Sequence, residues 1–381
     1  MLYNIVANMW FHNIRSCPRY VRPSFTSNCF SPRLRLNPKL QGFIHASNTP
    51  KTLRHWASIA MAATTKAIIV CGATGKQGGA VLKSLATGPD RSQYTLLAVT
   101  RDPKSKSAQN ITETHPEVKL VQGNLDDVPA LFASAKAILK EADKPEDIWG
   151  VYSVQISMGP GTSVEGEIKQ GNSLIDESVK EGVTHFVYSS VDRGGNQRSF
   201  ENPTPIPHFK TKFEIEKHLL EKAGKNGENM GWTILRPVAF MDNLMPGFPT
   251  KVFLAALRDT LNGKSLQWVS VEDIGLFGAR AFREPEKWNA RAEGLAGSEL
   301  TMDEMSGCFE RVIGSPVPAT YGMFGSALKW AVTEVNIMIT WFGAEGYGAE
   351  INKLRKEEPK LCDFETWLRE RSGWKSQAIK K

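Results

Sequence analysis

The 381-residue chain is long enough for one large α/β domain, or for one domain with a smaller lobe packed against it. Its 41% hydrophobic and 23% charged residues are ordinary for a globular protein, and it has no run of about 18 or more apolar residues, so no membrane span is expected. The net charge of +7 is local: residues 1–65 hold eight basic and no acidic residues, and removing those eight from 47 leaves 39 basic against 40 acidic, so the rest of the chain is about neutral and no direct nucleic-acid contact is expected.

The N-terminal extension, residues 1–65, carries Arg15, Arg19, Arg22, Arg33, Arg35, Lys39, Lys51 and Arg54. An acid-free, Arg- and Ser-rich segment has the character of a mitochondrial transit peptide, which must be positive to follow the membrane potential. Against this, the first Arg comes only at position 15, and Met61-Ala-Ala-Thr-Thr leads straight into the first strand, as an alternative start would. The expected location is mitochondrial in the first case and cytoplasmic in the second, with the nucleus left open. In both cases the extension is expected to be largely disordered. Cys17, Cys29, Cys71, Cys308 and Cys362 are scattered without CxxC or His-rich spacing, so neither a metal site nor a disulfide framework is expected.

From Lys66 onward, short apolar runs alternate with helical patterns. Ala67–Cys71 is the first predicted strand, and Val70-Cys-Gly72-Ala-Thr74-Gly75-Lys76-Gln77-Gly78-Gly79 follows it into a helix over 79–86. Glycines at 72, 75 and 78 between a strand and a helix match a dinucleotide fingerprint. The first allows the tight turn, the second lets a pyrophosphate approach the backbone, and the third lets helix and strand pack closely. The helix N-terminus adds free N–H groups and partial positive charge for the phosphates.

The second strand, Tyr94–Val99, ends in Thr100-Arg101-Asp102. An acidic residue here accepts from the ribose 2′-hydroxyl of NAD, whereas an Arg accommodates the 2′-phosphate of NADP. Arg101 therefore points to NADP, and Asp102 keeps NAD open. Beyond the third strand, Val118–Val121, the segment Gln122-Gly-Asn124-Leu125-Asp-Asp127 lies where adenine rests in such folds; Asn124 could meet the base edge or cap the next helix. A helix over 129–142, a strand over 148–154, a helix over 172–181, a strand over 184–188 and a strand over 232–235 continue the alternation. Runs without polar alternation suit strands covered on both faces, so the fold expected is α/β, a doubly wound parallel sheet of Rossmann type. That domain spans 66–240. Residues 241–381 are expected to form a smaller, mostly helical C-terminal lobe, with helices over 271–282 and 302–313 and a buried or groove-lining helix over 327–342.

Taken together, CGATGKQGG, AVTRDP, QGNLDD, FVYSSVD, HFKTKFEIEKHL and TILRPVAFMDN resemble the NmrA-like family of atypical short-chain dehydrogenases/reductases. The resemblance covers residues 66 to about 375, including WFGAEGY at 341–347 and FETWL at 364–368. It implies that Pro237 and Phe240, with Val154 and Gln155, pack near a nicotinamide. Reductases of this fold place Ser at the end of the fifth strand and Tyr-xxx-Lys on the next helix. Ser190 matches the serine and Lys212 the lysine, but His208 stands where the tyrosine belongs, and no tyrosine lies between 189 and 320. Lys212 could still bind the nicotinamide ribose. Losing the phenol removes a general acid worth about 10²–10⁴-fold in rate, so slow or absent turnover is expected.

Members of the family often lack this tyrosine, and several act as NADP(H)-responsive regulators that bind partner proteins such as transcription factors. The expected role is accordingly an NADP(H) sensor with little or no turnover. The alternative is an NAD(P)H-dependent reductase of a quinone, carbonyl or flavonoid-like substrate.

Overall fold

The computed structural model describes residues 65–156 and 162–377. The expectations for residues 1–64, the transit peptide and the start at Met61, lie outside the described residues. Each predicted early strand is present: β1 (Lys66–Val70), β2 (Tyr94–Thr100), β3 (Lys119–Gln122), β4 (Ile148–Ser153), β5 (His185–Ser189) and β6 (Gly231–Pro237). Between them run α1 (Lys76–Ala86), α2 (Lys106–Thr114), α3 (Val128–Glu141), α4 (Val164–Lys180) and α5 (Pro207–Ala223).

Successive strand residues point to opposite faces. Ala67, Ile69 and Cys71 therefore join a core with Leu131 and Phe132 of α3, Leu174 and Ile175 of α4, and Ile215 and Leu219 of α5. Ile68 and Val70 face the other way, onto Val81, Leu82 and Leu85 of α1. Each fully buried side chain of this size contributes about 1.5–3 kcal/mol, so both layers hold the sheet. The hydrogen-bonded order is β3-β2-β1-β4-β5-β6 with a seventh strand at Arg291–Leu295 (β9) beside β6, parallel throughout, which is the doubly wound arrangement expected from the sequence.

Beyond residue 240 the chain returns to the sheet, so a cut there would divide the Rossmann domain. After the short β7 (Ala239–Phe240), α6 (Phe248–Leu261) and β8 (Leu266–Val269), α7 (Val271–Arg283) lays Ile274, Phe277 and Phe282 into the same core as α1. A short α8 (Pro285–Trp288) leads into β9 (Arg291–Leu295), the edge strand beside β6. β9 was hidden in the sequence by its charge. Its Glu293 is fully buried because Arg291, Lys353 and Asn196 surround it. β10 (Ser298–Leu300) joins β8 and β7 in a second, three-stranded sheet that was also not anticipated.

The rest is helical as expected: α9 (Met302–Ile313), α10 (Gly322–Ala331), α11 (Thr333–Ala344), α12 (Ile351–Glu357) and α13 (Phe364–Glu370). The single helix expected over 327–342 is two helices that break at Val332 (φ −130°, ψ 89°). The first of them is not groove-lining, because Met323 and Trp330 are 71% and 89% exposed. Among the described residues no helix is long and apolar enough to cross a membrane.

The carboxyl ends of β5 and β6 are locked by a buried charge cluster. Glu216 of α5 accepts from Arg236 Nε (3.1 Å) and Nη2 (2.7 Å) and from Arg193 Nη2 (2.7 Å), and all three side chains are at most 2% exposed. Burial alone would raise the Glu216 carboxyl, but Arg236 and Arg193 hold it below its ordinary 4.5. Its folded-state value therefore lies under its unfolded one, so its contribution is complete above about pH 4.5 and lost as pH falls through the lower folded value. Removing one partner of a buried pair leaves an uncompensated charge and costs about 3–5 kcal/mol. Glu216→Ala is expected to lower urea-unfolding stability at pH 7 by that amount, with the gap to wild type narrowing below pH 4.5. A gap that is pH-independent, or under about 1 kcal/mol, contradicts this account.

Candidate functional site

A parallel sheet delivers the loops after its strands to one edge, where open α/β folds bind ligands. Here that edge gathers the glycine turn after β1, Arg101 after β2, Asn124 and Leu125 after β3, Val154 and Gln155 after β4, and Pro237 to Phe240 after β6.

The glycine turn is shaped by contacts that exclude side chains. Gly72 has φ +63°, and a Cβ there would lie 2.8 Å from Val154 Cγ1. A Cβ on Gly78 would lie 2.4 Å from the carbonyl oxygens of both Cys71 and Gly72, so only glycine lets α1 start this close to β1. Gly75, the N-cap of α1, offers no side-chain cap, and no acid occupies the first turn. Six helices, α2, α3, α4, α7, α9 and α13, are capped by Ser105, Asp127, Ser163, Ser270, Thr301 and Asp363, whereas α1 shares an uncapped start with α5, α6, α8, α10, α11 and α12; what sets α1 apart is the glycine turn in front of it. The first amides of α1 are left for an anion, with the helix dipole behind them.

Gln77 reaches from this turn to β5, where its Oε1 accepts from Ser189 Oγ at 2.6 Å. Lys76 instead reaches the loop after β7: its Nζ donates to Asp242 O (2.9 Å) and Asn243 Oδ1 (3.0 Å), so its charge staples two phosphate-side loops together. Thr74 is half-buried in the turn itself.

Arg101 is exposed, and among the described residues no carboxylate lies within ion-pair distance of its guanidinium. Asp102 is spent locally, since its Oδ1 accepts from Lys104 N at 2.9 Å and its carbonyl accepts from Ser105 Oγ at 2.7 Å. Asn124 does not cap α3; Asp127 does. The Asn124 amide donates to Asp126 Oδ2 at 2.8 Å, and Asp126 also holds Gln170 of α4. Asn124 thus sits at the edge expected for the base, engaged in a tight turn. Leu125 packs partly buried against the sheet core.

The remaining candidates separate. Ser190 does not face the glycine turn: it is buried, its Oγ donates to Glu216 and accepts from Arg193 Nη1 at 3.2 Å. Its neighbour Ser189, one strand position earlier and on the opposite face, is the one that meets Gln77, and nothing in the residue pattern marks it out. Lys212 is almost wholly buried, with Nζ 2.7 Å from Glu167 Oε1 and 5.8 Å above the Tyr188 ring. Glu167, in the first turn of α4, also accepts from Thr211 Oγ1 at 2.7 Å and was not anticipated. His208 lies one helical turn before Lys212, and its Nδ1 is 2.6 Å from Glu334 Oε1 of α11. Tyr188 does not replace the missing phenol. It is fully buried in the core, and burial pushes its hydroxyl well above 10.

Three polar atoms at this edge are buried without a hydrogen-bond partner: Gln155 Oε1, Asn243 Nδ2 and Lys212 Nζ, the last touching only Glu167. Buried polar groups are normally satisfied, so orphans gathered at one edge suit a ligand that supplies partners. The uncapped amides, the open Arg101 and these orphans fit the diphosphate, the 2′-phosphate and the carboxamide or ribose of a nicotinamide dinucleotide. A separate surface cleft of about 650 Å³, lined by Ser298, Glu299, Ile351 and Lys353 among others, contains none of these residues.

Hydrogen bonds to charged groups contribute about 1.5–3 kcal/mol. Arg101→Ala is therefore expected to weaken NADPH binding roughly ten- to hundredfold, as read by fluorescence titration, and to leave NADH within about twofold. Equal losses for both cofactors would remove Arg101 from the phosphate site.

Comparison with known proteins agrees with this fold. The model of the NmrA-like family matches residues 64–368. An NmrA-like family domain-containing protein of Dictyostelium discoideum is 24% identical over 80% of this chain and 97% of its own length. An NmrA-like family domain-containing oxidoreductase of Aspergillus hancockii is 26% identical over 67% of this chain and 74% of its own. Among solved structures, the Citrobacter triphenylmethane reductase complexed with NADP(H) shares the fold with a TM-score of 0.58 and 17% identity, covering 80% of this chain and 99% of that one.

Proposed function

The chain belongs to the NmrA-like family, and we propose that it is an NADP(H)-dependent reductase acting on an apolar quinone- or carbonyl-type substrate. The observation that carries this reading is Lys212: a cation almost wholly buried at the carboxyl edge of the sheet, balanced by Glu167 and otherwise without a partner. A buried ion pair is weak in net stability and often less favourable than an apolar pair of similar volume. A cation held so suits a donor to a ribose hydroxyl or to a developing negative charge.

The cofactor would be held by the amides of Lys76 to Gly78, by Arg101 and by Gln155, and it would supply a hydride at this edge. Three observations support NADP(H) over NAD(H): the exposed Arg101, the local engagement of Asp102, and the NADP(H) bound by the triphenylmethane reductase. An apolar substrate is supported by Ile156 and Val164, which flank the segment after β4 and are 54% and 40% exposed. The relative named an oxidoreductase adds support for turnover.

The second reading is a sensor: a protein that binds NADP(H), turns over little, and is recognised by a regulatory partner such as a transcription factor. It is favoured by the absence of any tyrosine between 189 and 320 and by the burial of Tyr188.

One experiment separates the two. The full chain is titrated with NADPH and NADH, and NADPH oxidation is then followed with a panel of quinones and carbonyls. The reductase reading expects tight NADPH binding and substrate-dependent oxidation that falls about 10²-fold or more in Lys212→Ala. Tight binding with no oxidation by any member of the panel sinks it and leaves the sensor. Weak binding of both cofactors sinks both.

A further inference from the structure

His208 and Glu334 are brought together from distant parts of the chain. His208 opens α5, just after the Pro203–Pro207 loop, whereas Glu334 lies in the first turn of α11. Their Nδ1 to Oε1 distance is 2.6 Å, with side chains 12% and 30% exposed. An imidazole whose Nδ1–H donates to a carboxylate has its tautomer fixed, and its Nε2 becomes the nitrogen available for proton transfer. The ring is also held in place. Phe209 packs edge-on against it at 4.8 Å, and Phe209 is itself packed against Trp341 and Tyr347 near the end of α11.

We propose that Glu334 positions His208, and that the pair supplies the proton which a tyrosine provides in related reductases. The inference rests on the reductase reading above. His208 occupies the tyrosine's place, four residues before Lys212 on the same helical face. Two facts set it apart from a simple tie between α5 and α11. The carboxylate meets Nδ1 rather than Nε2, and the neighbouring cation Lys212 is already neutralised by Glu167, so the imidazole is not left facing an unbalanced like charge.

The step balances as follows. The substrate gains two electrons with the hydride that a reduced nicotinamide dinucleotide supplies. Its oxygen takes the Nε2 proton of the imidazolium, which leaves a neutral ring still protonated at Nδ1, and the ring regains its proton from solvent, so that one hydride and one proton are consumed per turnover. Glu334 touches no reacting atom and is a positioning residue. Its carboxylate holds Nδ1–H and compensates the positive ring before the proton leaves.

The test uses the full chain in four forms: wild type, His208→Gln, Glu334→Gln and Glu334→Asp. Each is measured for NADPH affinity by fluorescence, for kcat and KM with the best substrate of the panel, and for melting temperature. ¹⁵N-histidine NMR of wild type and Glu334→Gln, with the His208 signals assigned by their loss in His208→Gln, reads the tautomer without any turnover.

The proposal expects kcat to fall about 10²–10⁴-fold in His208→Gln, with NADPH affinity and KM within about threefold. It expects a smaller loss of kcat in Glu334→Gln with partial rescue in Glu334→Asp, and a wild-type ring whose neutral form carries its proton at Nδ1 and becomes a tautomer mixture in Glu334→Gln. Wild-type kcat in His208→Gln, or a wild-type ring protonated only at Nε2, overturns it. So does a Glu334→Gln defect that appears only as a lower melting temperature. If wild type binds NADPH but reduces nothing, the reductase reading falls and the proton role falls with it. A wild type that turns over while His208→Gln does so equally well overturns the dyad alone.

Discussion

Two guanidinium groups without access to water, Arg193 and Arg236, share the carboxylate of Glu216 at the point where β5, β6 and α5 meet. Arg193 also donates to the carbonyls of Val191, Ser199 and Asn202, and Arg236 to that of Asn196. Apolar contact alone would let α5 slide along its groove, because dispersion and hydrophobic burial carry little directional information. A carboxylate that must meet two forked donors at once permits one register. The cluster therefore sets the position of α5, and through it the position of every candidate group that α5 carries toward the sheet edge.

Those groups form one stripe. His208, Lys212 and Glu216 are spaced by four and stack on one face, and each is answered by a different element. Glu334 of α11 meets the first, Glu167 of α4 the second, and the two arginines the third. A helix with three ionisable side chains on its inward face would be unstable alone, since each buried charge without a partner costs several kcal/mol. With partners the cost is offset, and what is gained is placement: α4, α5 and α11 are joined through side chains as well as through packing. The same logic recurs at the far edge of the sheet, where Glu293 is buried within β9 by Arg291, Lys353 and Asn196.

How far the sequence could be read follows from these pairings. The first six strands were legible because each carries a short apolar run between helical patterns, down to the edge strand β3, which buries only Val121. The dinucleotide turn was legible because its glycines are dictated by backbone contacts that no side chain can satisfy, as at Gly78. β9 was not legible. Residues such as Arg291 and Glu293 argue against a buried strand until their partners from residues 196 and 353 are known. Nor were Glu167 and Glu334, ordinary glutamates in the first turns of a polar helix and of an apolar one. Their meaning arises only from Lys212 and His208, 45 and 126 residues away along the chain. Ser190 was misjudged for a related reason: strand alternation near the end of β5 decides which of two adjacent serines turns to the glycine loop, and Ser189 does.

The missing tyrosine bears differently on different substrates. Hydride addition to a simple carbonyl leaves an alkoxide, a strong base that cannot persist in a buried site, so a proton donor has to be in place as the charge forms. Hydride addition to a quinone leaves a phenolate-like oxygen instead, and a phenol has an ordinary pKa near 10. Such an anion is stabilised by its ring, and a fixed cation such as Lys212 can hold it until a proton arrives. An imidazolium, whose proton is more acidic than a phenol's, transfers it readily to such an oxygen without first being activated by a lysine. On the proposed reductase reading, a buried, balanced cation and a histidine in the tyrosine's place would suit quinone-type acceptors better than isolated carbonyls. The apolar residues Ile156 and Val164 at its border are consistent with the same class.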